Sequence, residues 1–175
     1  MFLGSEEIKK LILKKEMIRN YGNLDEQLQP NGFDLRVEKV EKEVFKVQPF
    51  ILGRETKKFP EMANVNLTPE KDSDWWFLKP GKYLIYFIEE VNLPKDIAAV
   101  TIQRSSVMRG LEETIVGSWD AGYNGKGCNK LTVDSESGML LQYGARVVQM
   151  HFIPVSGENF SYNGSYQKEN LNGIK

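Results

Sequence analysis

Apolar and polar positions change period early in the chain. Ser5, Glu6 and Glu7 open a stretch in which Ile8, Leu11 and Ile12 recur at helical spacing, with Lys14 and Lys15 at its far end. Acids in the first turn and lysines in the last suit the helix dipole, so this pattern predicts one short amphipathic helix. Beyond it the helical period disappears. Segments rich in Val, Ile, Phe and Tyr alternate with Gly, Pro, Asn and Asp, which predicts strands over 33–40, 44–52, 81–89, 98–103, 131–133 and 146–154. Short strands punctuated by turns, without recurring strand–helix alternation, predict an all-β sandwich, jelly roll or barrel and argue against a parallel-sheet nucleotide fold. Trp75, Trp76, Phe77 and Leu78 precede Lys79-Pro80-Gly81 and read as packing ahead of a turn, with base stacking as the alternative.

The chain has 175 residues, of which 41% are apolar, enough for one domain with a sizeable core. Residues 158–175 are poor in aliphatic side chains and rich in Asn, Ser, Gly, Tyr and Lys. They are expected to form a flexible tail after a β domain over 1–157, able to close over a site as a lid. A net charge of -1 favours neither nucleic acid nor an anionic membrane as partner, and the mixed charges of 39–46 read as a solvated strand face. No run approaches the roughly 20 apolar residues of a membrane span, and no signal peptide opens the chain, so a cytoplasmic location is expected. Cys128 is the single cysteine and His151 the single histidine, which excludes an intrachain disulfide and argues against a metal held by soft ligands.

Chemistry concentrates in Gly117-Ser118-Trp119-Asp120-Ala121-Gly122-Tyr123-Asn124-Gly125. A glycine-rich hairpin exposes backbone donors and acceptors, and its one acid can face a reacting water; a purely structural turn is the other reading. Arg104, Ser105 and Ser106 fall where a strand should end and a short helix begin. There hydroxyls, free N–H groups and a guanidinium can converge on phosphate oxygens, or a serine can simply cap the helix.

Five motifs follow one another along nearly the whole chain: Gln29-Pro30-Asn31-Gly32-Phe33-Asp34-Leu35-Arg36, Arg104-Ser105-Ser106-Val107-Met108-Arg109-Gly110, the Asp120 hairpin, Gly144-Ala145-Arg146-Val147-Val148-Gln149-Met150, and Tyr162-Asn163-Gly164-Ser165-Tyr166-Gln167. From about residue 1 to 168 this ordered set resembles the deoxyuridine triphosphatase and dCTP deaminase superfamily. The stretch from Trp119 to Gly127 looks most like the archaeal type of dUTP diphosphatase.

The resemblance implies a distorted β jelly roll (the dUTPase-like β-clip), with a short N-terminal helix and another after Arg104–Ser106. It further implies a homotrimer with active sites built between subunits, and hydrolysis of dUTP to dUMP and pyrophosphate. By it Asp120 orients the water for in-line attack at the α-phosphorus, and Tyr123 lies under the deoxyribose. Gly122 presents main-chain groups to uracil. Arg104, Ser105, Ser106 and Gln149 hold phosphates, and Tyr166 and Gln167 belong to the lid. Mg²⁺ is the implied cofactor, bound mostly by substrate and water, with Asp34 either holding it from the outer shell or anchoring a turn and strand.

In the deaminase branch of that superfamily the resemblance implies a proton-shuttling glutamate about ten positions beyond the hairpin acid, and an ungapped count puts Lys130 there. This argues against a dCTP deaminase or a bifunctional enzyme, unless an insertion near Gly127-Cys128-Asn129 shifts the register and brings in another acid such as Glu136. A non-catalytic deoxynucleotide sensor is the remaining alternative.

Overall fold

The computed structural model describes residues 1–44, 49–68 and 73–171. Parts of the strand expected over 44–52 and of the charged face over 39–46 lie outside the described residues, as do residues 172–175 of the tail. Helix α1 (Ser5–Lys15) buries Ile8, Leu11 and Ile12, the face that its spacing foretold. It ends where Glu16 turns left-handed and donates its N–H to the Leu11 carbonyl. Helix α2 (Leu24–Gln27) starts at Asn23, whose side chain accepts from the Asp25 N–H. Helix α3 (Ser105–Arg109) is the short helix expected after the third-quarter strand.

Six strands carry the architecture: β1 (Gly32–Glu43), β2 (Gly81–Phe87), β3 (Ile97–Gln103), β4 (Gly117–Trp119), β5 (Cys128–Val133) and β6 (Arg146–Pro154). They pair antiparallel in the order β5-β2-β1-β6-β3-β4, with the two-residue strand Glu113–Thr114 beside β5. The first half of β1 pairs with β6 and the second half with β2. The register slips between Arg146 and Val148 on one side and between Val37 and Lys39 on the other. Such slips bend the strands that carry them, so the sheet curls around its apolar face.

That face is continuous: Phe33 and Leu35 of β1, Ile85 and Phe87 of β2, and Met150 and Phe152 of β6 are all sealed from solvent, with α1 closing one side. The tryptophan segment divides by alternation. As strand Trp75–Leu78 it turns Trp76 and Leu78 into the core and leaves Trp75 and Phe77 exposed, and Trp76 Nε1 donates to the Val65 carbonyl at 3.0 Å. Gly32 is required where it stands, because a Cβ there would lie 2.8 Å from Gln149 Cγ and from the Met150 carbonyl.

One register decides where chemistry can occur. Antiparallel β3 and β4 pair Thr101 with Gly117, Val100 with Ser118 and Ala99 with Trp119. The Asp120 turn therefore leaves the sheet beyond Ala99, while Arg104 and α3 leave from the opposite end of β3. At about 3.3 Å per residue, about 20 Å of strand lies between them.

A buried ion pair ties the strands to α2. Glu89 is fully buried and accepts the Arg36 backbone N–H at 2.8 Å, Arg36 Nε at 2.6 Å and Gln27 Nε2 at 2.8 Å. Gln27 Nε2 also donates to the Asp34 carbonyl at 2.9 Å. Replacing Glu89 by Ala leaves a half-buried guanidinium and two N–H donors without their acceptor, so Glu89→Ala should cost about 3 kcal/mol of stability in urea unfolding. A loss below about 1 kcal/mol would contradict this network's role.

Candidate active site

The hairpin that the sequence singled out lines a cavity of about 1100 Å³, formed by β4, β5, β2, the arm around Phe50 and Phe59, and the tail. Asp120 is exposed at its wall, and its carbonyl accepts from the Tyr123 N–H at 3.0 Å, which closes the turn. Tyr123 is 5% exposed and stands edge-on to Trp119, ring centroids 5.1 Å apart at 84°. Two glycines make room for these rings: a Cβ on Gly125 would lie 2.5 Å from the Tyr123 hydroxyl, and one on Gly127 would lie 2.5 Å from Trp119 Cη2.

Tail residues 161–170 lie against the same hairpin of the same chain. The Tyr162 N–H donates to the Ala121 carbonyl at 2.9 Å, and the Lys168 N–H to the Asn124 carbonyl at 2.7 Å. The Lys126 N–H donates to the Glu169 carbonyl at 3.0 Å. Gln167 bridges the turn from behind. Its Oε1 accepts the Asn124 N–H at 2.8 Å, and its Nε2 donates to the Gly122 and Tyr162 carbonyls, each at 2.9 Å. Because the Gly122 N–H also donates to the Pro94 carbonyl at 3.2 Å, both main-chain groups of Gly122 are engaged. Gly122 and Gln167, expected as substrate contacts, are thus a buttressed turn and its buttress in this conformation, whereas Tyr166 lines the cavity with Tyr162 and Glu169.

The phosphate candidates gather at the other end of β3. Arg104 is held by Asp34, Nε to Oδ2 at 3.0 Å, and donates through Nη1 to the Arg146 carbonyl at 3.1 Å. Gln149 pairs in register with Asp34 on one side and with Ile102 on the other. Ser105 and Ser106 are exposed at the start of α3, which has no side-chain cap, so the serine-cap reading is not what the structure shows.

Asp34 is 1% exposed, with Arg146 Nη1 at 3.6 Å as a second guanidinium. Burial raises its carboxyl above the usual carboxylate range, against the opposing pull of Arg104, Arg146 and His151. A carboxylate enclosed with two guanidiniums stands where it can anchor Arg104. His151 packs against Phe2 and bonds the Asn31 carbonyl through Nδ1 at 2.7 Å. Cys128 is exposed on the cavity side of β5.

The family model for dCTP deaminase-like proteins matches residues 2–155. The chain belongs to the dCTP deaminase-like family. It is 33% identical over 174 residues to a protein of Archaeoglobus fulgidus named probable deoxyuridine 5'-triphosphate nucleotidohydrolase, covering 97% of each chain. It is 32% identical over 170 residues to a Methanosarcina acetivorans protein of the same name, covering 96% of this chain and 97% of the other. The crystal structure of 2'-deoxycytidine 5'-triphosphate deaminase from Agrobacterium tumefaciens matches with a TM-score of 0.65 at 22% identity, over 86% of this chain and 47% of that one, which establishes the shared fold.

The count of about ten positions beyond Asp120 falls on β5. Alternation along Cys128–Val133 turns Asn129, Leu131 and Val133 into the interior and leaves Cys128, Lys130 and Thr132 on the other face. Cys128 and Lys130 line the cavity. Whether the count runs to Lys130 or shifts by two to Thr132, no acid of β5 stands on that face, and Glu136 is exposed in the turn beyond it.

Glu169 and the stacked pair Phe50 and Phe59, ring centroids 5.6 Å apart, were missed in the sequence. Glu169 follows the Tyr166-Gln167 motif by two residues, but only the return of the tail onto the hairpin brings it to the cavity. Gly122 has φ +82°, and a Cβ there would meet Ser161 Cβ at 2.7 Å. Gly122→Ala should therefore cost about 1–2 kcal/mol at that backbone and loosen the tail. Hydrogen exchange over 161–170 should become faster in the variant; unchanged exchange would contradict the contact.

Proposed function

We propose that this protein hydrolyses dUTP to dUMP and pyrophosphate at sites shared between copies of the chain, as a cytoplasmic enzyme of the deoxynucleotide pool. The observation that carries this reading is the β5 face: Cys128, Lys130 and Thr132 stand where a deaminating carboxylate would be needed, while the exposed Asp120 faces the same cavity. Cys128, Lys130 and Thr132 supply no carboxylate to carry a proton to cytosine. The names of the archaeal relatives support the same choice.

In this reading Asp120 accepts a proton from water as its oxygen attacks the α-phosphorus in line with the departing pyrophosphate. The P–O bond to the β-phosphate breaks as the new one forms, and no covalent intermediate with the protein is needed. Tyr123 lies beneath the deoxyribose and leaves no space for a 2′-hydroxyl. Arg104, with Ser105, Ser106 and Gln149, neutralises phosphate oxygens, and Asp34 fixes the Arg104 guanidinium for that task.

The roughly 20 Å of strand between Asp120 and Arg104 in one chain exceeds what a single nucleotide site can bridge. The phosphate cluster is therefore supplied by a second copy, in a closed homotrimer with three shared sites.

Among the described residues no group of three or more His, Cys, Asp or Glu could hold a metal ion. The exposed Asp120 and the open cavity suit a hard, hydrated cation that arrives with the nucleotide. Mg²⁺ bound to the triphosphate would add charge neutralisation to that of Arg104.

Incubation of the purified protein with Mg²⁺ and, separately, dUTP, dCTP and UTP tests the reading. Pyrophosphate from dUTP alone is expected. Ammonia from dCTP would establish a deaminase, and dUTP binding without product would establish a sensor. Asp120→Asn keeps the shape of the side chain and removes the base. Turnover should fall by about 10²–10⁴ with nucleotide affinity nearly unchanged, measured by single-turnover kinetics and calorimetry.

A further inference from the structure

Glu169 is a carboxylate inside the cavity for which the hydrolytic reading has no use. Its Oε1 accepts the Tyr123 hydroxyl at 2.8 Å, and its carbonyl accepts the Lys126 N–H at 3.0 Å. One tail residue thus holds both the ring and the segment that leads into β5.

The backbone on either side is shaped for this delivery. Lys168 and Asn170 both adopt left-handed conformations, with φ of +64° and +55°, a region that non-glycine residues seldom occupy. Asn170 Nδ2 donates to the Lys126 carbonyl at 2.8 Å, and Lys168 N–H is held by Asn124, so both unusual residues are pinned to the hairpin. Tyr123 is then fixed on every side: Trp119 at its edge, Tyr162 with its ring centroid 6.0 Å away, the spaces left by Gly125 and Gly127, and Glu169 at its hydroxyl.

We propose that Glu169 is a positioning residue for sugar selection, holding the Tyr123 ring rigid so that a ribose 2′-hydroxyl cannot be accommodated. The inference rests on the reading of Tyr123 as the deoxyribose platform. A platform excludes an added hydroxyl only if it cannot yield by a few tenths of an ångström, because a wall that moves admits the larger sugar. A phenol free to swing on its two χ angles would be such a wall. The 2.8 Å bond removes that freedom, and it does so only while the tail is seated. Selectivity and lid closure are then one event: the site discriminates between sugars in the state in which it is closed.

The conservative and the truncating substitutions separate this role from general support of the fold. In Glu169→Gln the amide oxygen still accepts the Tyr123 O–H; in Glu169→Ala nothing does. The ratio of kcat/KM for dUTP to that for UTP should fall by about tenfold or more in Glu169→Ala, mainly through gain of the ribonucleotide, and stay within about threefold of the parent in Glu169→Gln. Tyr123→Phe, which keeps the ring and loses the hydroxyl, should lower the ratio as Glu169→Ala does, and the double variant should lose little more, since both remove one bond.

Calorimetric affinities for dUMP and UMP supply a readout that does not depend on turnover and should shift in the same sense. An unchanged ratio in Glu169→Ala, equal losses for both nucleotides, or failure of Glu169→Gln to preserve the ratio would overturn the proposal. Failure of the parent protein to bind or hydrolyse dUTP at all would instead overturn the functional reading, and this inference with it.

Discussion

The pairing of β3 with β4 is the constraint from which the rest follows. Thr101 opposite Gly117 and Ala99 opposite Trp119 send the acid-bearing hairpin off one end of β3, while the strand's own continuation carries Arg104, Ser105 and Ser106 off the other. A slip of one residue would turn Trp119 from the core to solvent and carry the Asp120 turn with it, so the apolar face of the sheet holds the register. The same packing that stabilises the fold thereby keeps the two candidate clusters apart within a chain. Asp120, Tyr123 and the tail surround one cavity, while Arg104, just beyond β3, meets Asp34 of β1, which pairs with Gln149 of the adjacent strand β6.

Polar bonds do in the tail what apolar burial does in the sheet. Residues 161–170 offer few aliphatic side chains, yet they meet the hairpin through Tyr162, Gln167, Lys168, Glu169 and Asn170, each with a defined donor or acceptor. Such bonds contribute only about 1 kcal/mol each, so a segment held this way can be seated or released with little change in the body of the domain. Burial first and the neighbouring Glu169 carboxylate second push the Tyr123 phenol well above its usual range, and burial also pushes Glu169 up. Tyr123 therefore remains a hydrogen-bond donor throughout the range in which nucleotides are stable.

Local patterns were readable where local physics decides. The face of α1 followed from the spacing of Ile8, Leu11 and Ile12, and β6 spans the residues that its apolar run marked out. The order of the motifs was enough to indicate the family, because no single turn or cap carries that information alone. What could not be read depends on contacts between residues far apart in sequence. Asp34 in a turn-like Asp-Leu-Arg setting is compatible with metal or anchor, and its burial beside Arg104 and Arg146 has no local signal in the sequence. Gly122 and Gln167 looked alike as site residues, but the tail's return path makes one the brace of the other. Glu169 carries no motif signal, since a glutamate in a polar tail is ordinary until something folds it onto Tyr123.

Mixing two inactive variants tests the shared-site account most directly. Asp120→Asn and Arg104→Ala chains, each expected to be nearly inactive alone, are denatured together in equal amounts and refolded, and dUTP hydrolysis is then measured. If each site takes its acid from one copy and its arginine from a neighbour, random assembly restores about a quarter of the sites, with activity near that fraction of the parent protein. No recovery above the two separate variants would contradict the account and return both residues to a site within one chain.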